Sequence, residues 1–412
     1  MSSPALSRTA AAAVDAVAPL RERRDLFEIP DGVVYLNGNS LGALPRSVAP
    51  RVAEVVRTQW GAGLVASWNT AGWVDLPRRV GGRIAPLLGT EPDDVLVGDS
   101  TTVTLFKTLV AGSRLRPDRR VLVLEPTTFP TDAYVASGVA DLLGLEVRWC
   151  DPVDPAASLD DDVAVLALSH VDFRTGSMYD MSALTAAAHE VGALAQWDLC
   201  HSTGAVPLDL TGADVDVAVG CTYKYLNGGP GSPAFSWVHP RHQRSWDQPV
   251  RGWFGHADLF AMARGFQPAP GIASMASGTP PVLALCALDA ALDVFDGLRP
   301  ADVRAASLSL TDLFLTLLDL RLDGVFEVLT PRDHARRGSQ VSLRHPDAYG
   351  VVQALAARGV VGDFRAPDVA RFGFAPLYLT HVDVHDAVDR LVSVLAHDEH
   401  RRPEYAVRNV VT

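Results

Sequence analysis

The sequence predicts an α/β protein: a large domain on a mostly parallel seven-stranded sheet, followed by a smaller α+β domain. Three observations carry this reading. Seven short apolar runs bounded by turn residues fall between residues 95 and 239, the pattern of buried strands. Helical patterns stand between several of them, and such alternation builds a parallel sheet covered by helices. After about residue 300 the alternation stops and elements follow in a different order.

In chain order the strand-like runs are VLVG (95–98), RVLVLE (120–125), LEVRWC (145–150), VAVLALSH (163–170), LAQWDLC (194–200), VDVAVGCTYK (215–224) and AFSWVH (234–239). The helical pattern TTVTLFKTLVAGSRL follows the first, and MSALTAAAHEVGA precedes the run containing Asp198. In folds of this class, ligands bind outside the carboxyl ends of the strands. Beyond them, LRPADVRAASLSLTDLFLTLLDLRL reads as one long helix. The strands VFEVLT and GSQVSLRH, the helix YGVVQALAARG and the strand-like RFGFAPLY come next. The expected division is an N-terminal segment, 1–50, joining the small domain; a large domain, 51–295; and a small α+β domain, 296–412.

The chain of 412 residues is 48% hydrophobic and 20% charged, as expected of a soluble protein with a large core. No apolar run reaches ~18 residues, so no membrane span is expected. The opening MSSPALSRTAAAAVDAV carries Asp15 and lacks a basic start followed by a leucine-rich stretch. It therefore does not read as a signal peptide, and a cytoplasmic location is expected. Cys150, Cys200, Cys221 and Cys286 show no CxxC spacing and read as buried free thiols, not as a metal site. A net charge of −12 argues against a general nucleic-acid binder, which needs a basic face.

The chain has only two lysines, Lys107 and Lys224, among many arginines. Lys224 lies in CTYKYLNGGPG (221–231). An amine can lose its proton and attack a carbonyl, which a guanidinium effectively cannot do. The carbonyl such a lysine would meet is that of pyridoxal phosphate (PLP). Taken alone, Lys224 also fits a solvent-facing lysine that codon bias has left in place. Asp198 stands at the end of a strand, where a carboxylate could keep a pyridine nitrogen protonated; it also fits a helix cap. His201 could bond the cofactor edge. Ser100, Thr101 and Thr102 open a helix after a strand and a glycine turn, a place for a phosphate and equally an ordinary N-cap. Phe129, at another strand end, could stack on a ring or belong to the core. Their order, each at a strand end, says more than any member.

These residues and the motifs around them are specific. YLNGNSLGALP (35–45), FPTD (129–132), WDLCHSTGAVPLDL (197–210), DVDVAVGCTYKYLNGGPGSPAFSWVH (214–239), GWFGH (252–256), SGTPPVLAL (277–285) and RFGFAPLY (371–378) resemble the kynureninase family over residues 30 to 390. The resemblance implies a fold-type-I, class V PLP enzyme, a homodimer with a shared active site. The reaction implied is hydrolytic Cβ–Cγ cleavage of L-kynurenine or 3-hydroxy-L-kynurenine to anthranilate or 3-hydroxyanthranilate and L-alanine. Carried over by position, Lys224 would form the Schiff base, Asp198 would pair with the pyridine nitrogen, and Thr102 with the Thr101 backbone would hold the phosphate. Phe129 would stack, with Asp132 nearby, and Ser169 and His201 would contact the cofactor. Tyr223 would lie by the phosphate and move protons. As a base at neutral pH its pKa would have to fall from ~10. Trp253 and Thr279 would reach the phosphate from the neighbouring subunit, Thr279 standing where some relatives have asparagine. Arg371 would hold the substrate carboxylate. Asn39, Trp253 and WNTAGW (68–73) are candidates for the aryl pocket.

Two other readings stay open here. A cysteine desulfurase or other class V PLP enzyme shares the Asp and the Lys but not GWFGH. A desulfurase would need a nucleophilic cysteine on a loop well after the lysine, and Cys286 lies in the apolar helical run PPVLALCALDA. A catalytically silent PLP-fold partner protein is the second; intact Asp198, Tyr223, Lys224 and Arg371 argue against it.

Overall fold

The computed structural model describes residues 6–405 and 407–408. Its large sheet holds seven strands: β1 (Val95–Val97), β2 (Val121–Leu124), β3 (Glu146–Trp149), β4 (Val163–Ser169), β5 (Leu194–Asp198), β6 (Val217–Gly220) and β7 (Phe235–Val238). Their order across the sheet is β1-β7-β6-β5-β4-β2-β3. β7 runs antiparallel to β1 and β6, and the other pairs are parallel. Each of the seven apolar runs became one of these strands. β1, β2, β5, β6 and β7 are buried at every position, which is why they read as unbroken apolar runs and not as alternation.

β5 and β6 stop furthest before the ends of their apolar runs, and both stops make room at the same edge. β5 ends at Asp198 because its carboxylate accepts the Cys200 backbone N–H at 2.6 Å and turns the chain. β6 ends at Gly220. Past it, the Thr222 hydroxyl bonds the Pro233 carbonyl at 2.6 Å and Cys221–Lys224 swing out of the sheet.

The helices α1 (Thr101–Arg114), α2 (Pro130–Leu143) and α3 (Met181–Glu190) follow β1, β2 and β4. After the large sheet, α4 (Pro300–Arg321) leads into a four-stranded antiparallel sheet. It contains β8 (Glu327–Val328), β9 (Gln340–Arg344), β10 (Asp363–Arg365) and β11 (Val369–Gly373), in the order β8-β9-β11-β10. α5 (Ala348–Ala357) lies between β9 and β10. A final helix, α6 (His381–Ala396), was not anticipated. Its start is nonetheless written in the sequence as a capping box, in which Thr380 and Asp383 bond each other's backbone N–H.

The N-terminal segment binds to this C-terminal unit. Asp15 accepts the backbone N–H of His381 at 2.8 Å and of Val382 at 2.9 Å, placing a carboxylate at the head of α6. Val34–Tyr35 pairs in parallel with Val360–Val361. No helix among the described residues is long and apolar enough to cross a membrane.

Candidate active site

A cavity opens at the carboxyl edge of the large sheet, where a parallel α/β sheet offers its ligand site. Thr101, Thr102, Phe129, Asp132, Ser169, Asp198, His201, Tyr223 and Lys224 all line it, together with Phe173 and Cys200. They arrive from five different strand ends. Asp198 and Ser169 are the last residues of β5 and β4. Phe129 caps α2, and Lys224 lies on the loop that leaves β6. Thr101 opens α1, whose first turn leaves backbone N–H groups without helical partners. The left-handed Asp99 (φ 55°) makes the sharp turn from β1 that aims this helix start at the cavity.

The cavity floor is acidic. Asp132 is buried and packs against Asp198. Burial, then the Asp198 charge, pushes the Asp132 carboxyl well above the usual carboxylate range. Opposite them, Lys224 Nζ lies 2.9 Å from His201 Nε2. Burial and then the Lys224 charge hold His201 well below the ordinary imidazole value, so it is neutral and accepts from the ammonium. The buried His201 Nδ1 has no partner.

Tyr223 does not meet the condition for a base at neutral pH. Its hydroxyl is pushed up, not down, chiefly by burial and then by the neighbouring Cys221. The cationic Lys224, 5.9 Å from the ring centre, does not overcome this. Tyr223 is therefore protonated at neutral pH and suited to giving a proton before taking one.

The lysine loop is backed by the N-terminal motif. Gly42 N–H donates to the Tyr223 carbonyl at 2.7 Å, and a Cβ on Gly42 would stand 2.3 Å from the Lys224 carbonyl. Only glycine admits this approach, which gives YLNGNSLGALP a structural reason. Asn39 is fully buried. Its amide donates to Gln340 Oε1 at 3.2 Å, and its carbonyl oxygen is unpartnered.

Four of the expected residues lie outside the cavity lining. Arg371 is buried in β11 and bidentate to Asp363, with Nε–Oδ1 at 2.7 Å; its remaining nitrogen donates to the carbonyl of Phe173, a wall residue. Trp253 and Thr279 are exposed and lie away from Lys224 of their own chain. Asn39 stands behind β11, where a Cβ on Gly373 would meet its oxygen at 2.1 Å. Sequence reasoning missed Asp363, which orients Arg371, and Arg365, whose Nη2 is 2.9 Å from the same carboxylate and whose Nε is buried without a partner. It also missed Phe173, which meets Phe129 edge to face at 5.3 Å. The alternating D-F-R of β10 opposite Arg371 was the available signal.

This donor set fits pyridoxal phosphate. The facing carboxylates Asp132 and Asp198 call for a cation, which a protonated pyridine nitrogen supplies. The α1 N-terminus offers N–H groups to a phosphate, Phe129 shows a half-exposed aromatic ring, and Lys224 offers an amine.

The chain matches the family model of the kynureninase C-terminal domain over residues 303–391. It is 50% identical to a kynureninase of Burkholderia mallei, covering 98% of this chain and all of that protein. It is 48% identical to a kynureninase of Pseudomonas fluorescens, covering 97% of each. Among solved structures, the cysteine desulfurase CsdA of Escherichia coli superimposes with a TM-score of 0.77 at 18% identity, over 92% of this chain and 98% of that one. A C-DES mutant with glycine covalently linked to its PLP cofactor gives 0.77 at 17% identity, over 90% and 98%. At such identities these two structures speak for the fold.

Proposed function

The chain belongs to the kynureninase family, and from that premise we propose how its own residues carry out the reaction. The activity is PLP-dependent hydrolysis of a Cβ–Cγ bond in L-kynurenine or its 3-hydroxy derivative, releasing L-alanine and the anthranilate. When bound, pyridoxal phosphate supplies a carbonyl that condenses with amines and a ring that accepts electrons.

In this reading the Thr102 hydroxyl and the Thr101 N–H bind the phosphate. Asp198, backed by Asp132, holds a proton at the pyridine nitrogen. Phe129 would offer its ring to a cofactor face, and Ser169 and His201 would offer polar groups to it. Lys224 would hold the cofactor through its amine and, when free, would serve as the base for the substrate α-proton. His201, accepting from Lys224 at 2.9 Å, aims that amine. Tyr223, protonated at rest, donates during hydration of the aryl carbonyl or release of alanine. Arg371, set by Asp363, binds the α-carboxylate, and Asn39 supports that side of the site.

The observation that carries this reading is the single cavity joining Lys224, the Asp132–Asp198 pair and the α1 N-terminus. Cys286, the only cysteine after Lys224, is 1% exposed inside the helix Val282–Ala291, which speaks against the desulfurase alternative. We further propose a cytoplasmic homodimer in which Trp253 and Thr279 complete the partner's phosphate site. Both are exposed here, and the Trp253 segment also presents Phe260 and Met262 to solvent. The domain division 1–50, 51–295 and 296–412 is proposed on the same footing, supported by Asp15 capping α6.

Steady-state kinetics with L-kynurenine and 3-hydroxy-L-kynurenine test the activity and set its preference. Arg371→Ala should raise KM by about 10²-fold with a smaller loss in kcat, as expected when a charged hydrogen bond to the substrate is removed. An unchanged KM would remove Arg371 from the carboxylate site.

A further inference from the structure

Cys200 and Cys221 meet in the wall of the cavity. The β5–β6 register pairs Asp198 with Val219, and Leu199 N–H to the Val219 carbonyl at 2.8 Å continues it. Two further steps set Cys200 beside Cys221. Here the ladder changes chemistry: the Cys221 N–H donates to Cys200 Sγ at 3.1 Å, and Cys221 Sγ lies 3.8 Å from the Cys200 carbonyl. The two thiols also hydrogen-bond each other, so the sulfurs are in contact just past the ends of the two strands. Cys200 lines the cavity with Lys224, whereas Cys221 is buried directly behind it.

We propose that Cys200 and Cys221 form an oxidisable dithiol in the cofactor cavity, which hydrogen peroxide closes to a disulfide that stops turnover. The reaction balances without a further reagent. The Cys200 sulfur attacks one peroxide oxygen, the O–O bond breaks, and the released hydroxide takes a thiol proton to become water. Cys221 sulfur then displaces hydroxide from the Cys200 sulfenic acid, forming the S–S bond, and that hydroxide takes the second thiol proton. Two thiols lose two electrons and two protons, and one peroxide becomes two waters. The electrostatics favour Cys221 as the attacking sulfur of the second displacement, not Cys200 in the first. Burial works against ionising Cys221, but the Cys200 hydrogen bond and the Lys224 charge outweigh it and draw its thiol down. The Cys221 bond and burial push Cys200 up. Neither Cys150 nor Cys286 has a cysteine beside it among the described residues.

Closure would act on function through position. Cys200 N–H holds the Asp198 carboxylate at 2.6 Å, and Cys221 lies three residues before Lys224. Cross-linking them turns the sulfur that accepts the Cys221 N–H toward Cys221 Sγ and pulls on the two segments that carry the acid and the amine. The effect on turnover rests on the site proposed above; the cross-link itself does not.

The experiment treats PLP-loaded enzyme with a small excess of hydrogen peroxide, then blocks thiols under denaturing conditions and maps peptides. The expected result is a peptide joining residue 200 to residue 221, with Cys150 and Cys286 still free. Activity should fall in proportion to that peptide and return with dithiothreitol. In Cys221→Ser, peroxide should instead carry Cys200 to sulfinic acid, and dithiothreitol should not restore activity. Recovery of both thiols unmodified, oxidation of Cys200 in the wild type without a partner, or reversible inactivation of Cys221→Ser would each overturn the dithiol. A complete cross-link with full turnover would overturn the control of turnover while leaving the site reading intact. If Cys221→Ser does not fold, the wild-type peptide map decides alone.

Discussion

Lys107, inside α1, and Lys224, on the loop after β6, are enclosed by different chemistry. Lys107 Nζ donates to Asp99 Oδ2 at 2.8 Å, to Ser277 Oγ at 3.0 Å and to the Met275 carbonyl. Its side chain is 2% exposed, and each of its three N–H bonds has an oxygen. Lys224 Nζ makes one hydrogen bond among the described residues, to the nitrogen of neutral His201. Its other N–H bonds face a cavity. A lysine saturated by oxygens is fixed in place, joining the turn before α1 to the 275–279 segment, even though burial, opposed by Asp99, lowers its pKa. A lysine held by one imidazole at a cavity wall is free to move and to meet a ligand. The two positions have one residue type and opposite uses, and the difference lies in the acceptors around them.

Breaking the Lys224 side of that contrast should have the largest effect. Lys224→Ala and Lys224→Arg should both lower turnover by at least about 10³-fold, because each removes the nucleophile and the base together. Both should lose the absorbance of covalently held cofactor. A normal spectrum in Lys224→Ala would overturn its assignment as the anchor.

Tyr223→Phe comes next. Loss of one proton donor should slow kcat by about 10²-fold while cofactor remains bound. Because burial holds the hydroxyl protonated, the wild-type rate should show no alkaline requirement for Tyr223 ionisation. Wild-type turnover in the phenylalanine variant would take Tyr223 out of the mechanism.

Lys107→Met tests the other half. It leaves Asp99 without its cation, a partner that is itself 29% exposed, so the loss should be about 1–3 kcal/mol of stability and not the full penalty of a buried pair. Thermal unfolding should show it. Turnover per cofactor-loaded enzyme should change less than about tenfold, far less than at Lys224. A loss of catalysis matching Lys224→Ala, with stability intact, would erase the distinction.

The fold and the cavity were legible because both follow from local patterns. Buried parallel strands are written as apolar runs, and the residues that end or follow them fall at one edge whatever the details of packing. So Thr101, Phe129, Asp132, Ser169, Asp198, His201 and Lys224 converge as their order suggested. What could not be read depends on partners distant in sequence. Arg371 looked like a free carboxylate anchor because nothing near it in the chain shows that Asp363, on the next strand, takes two of its donors. The direction of the Tyr223 shift could not be read for a related reason: the burial that acts on it most strongly is set by the fold. Cys200 and Cys221 were taken as separate inert thiols because register, not spacing, brings them together.

Asp132 sharpens the comparison at its smallest scale, since its carboxyl faces the Lys224 cavity and competes with Asp198 for positive charge. Burial and the Asp198 charge raise the Asp132 pKa, and Lys224 opposes them without prevailing. For a group raised in the folded state, the stabilising contribution is fully present below its unfolded value of ~3.9 and is lost as pH rises through the folded value. The cofactor-free protein should therefore lose stability with rising pH across that window. Asp132→Asn keeps a neutral hydrogen-bonding group there, so it should match the wild type at low pH and melt at a slightly higher temperature above it. Loading PLP should shrink the gap, because the positive charge it would bring to the Asp198 side of the site favours the ionised form of Asp132. Melting curves of apo and loaded protein from about pH 5 to 8 would decide. Parallel curves for the two apo proteins would mean that Asp132 is ionised in the empty site and that Lys224, not its own proton, already balances it.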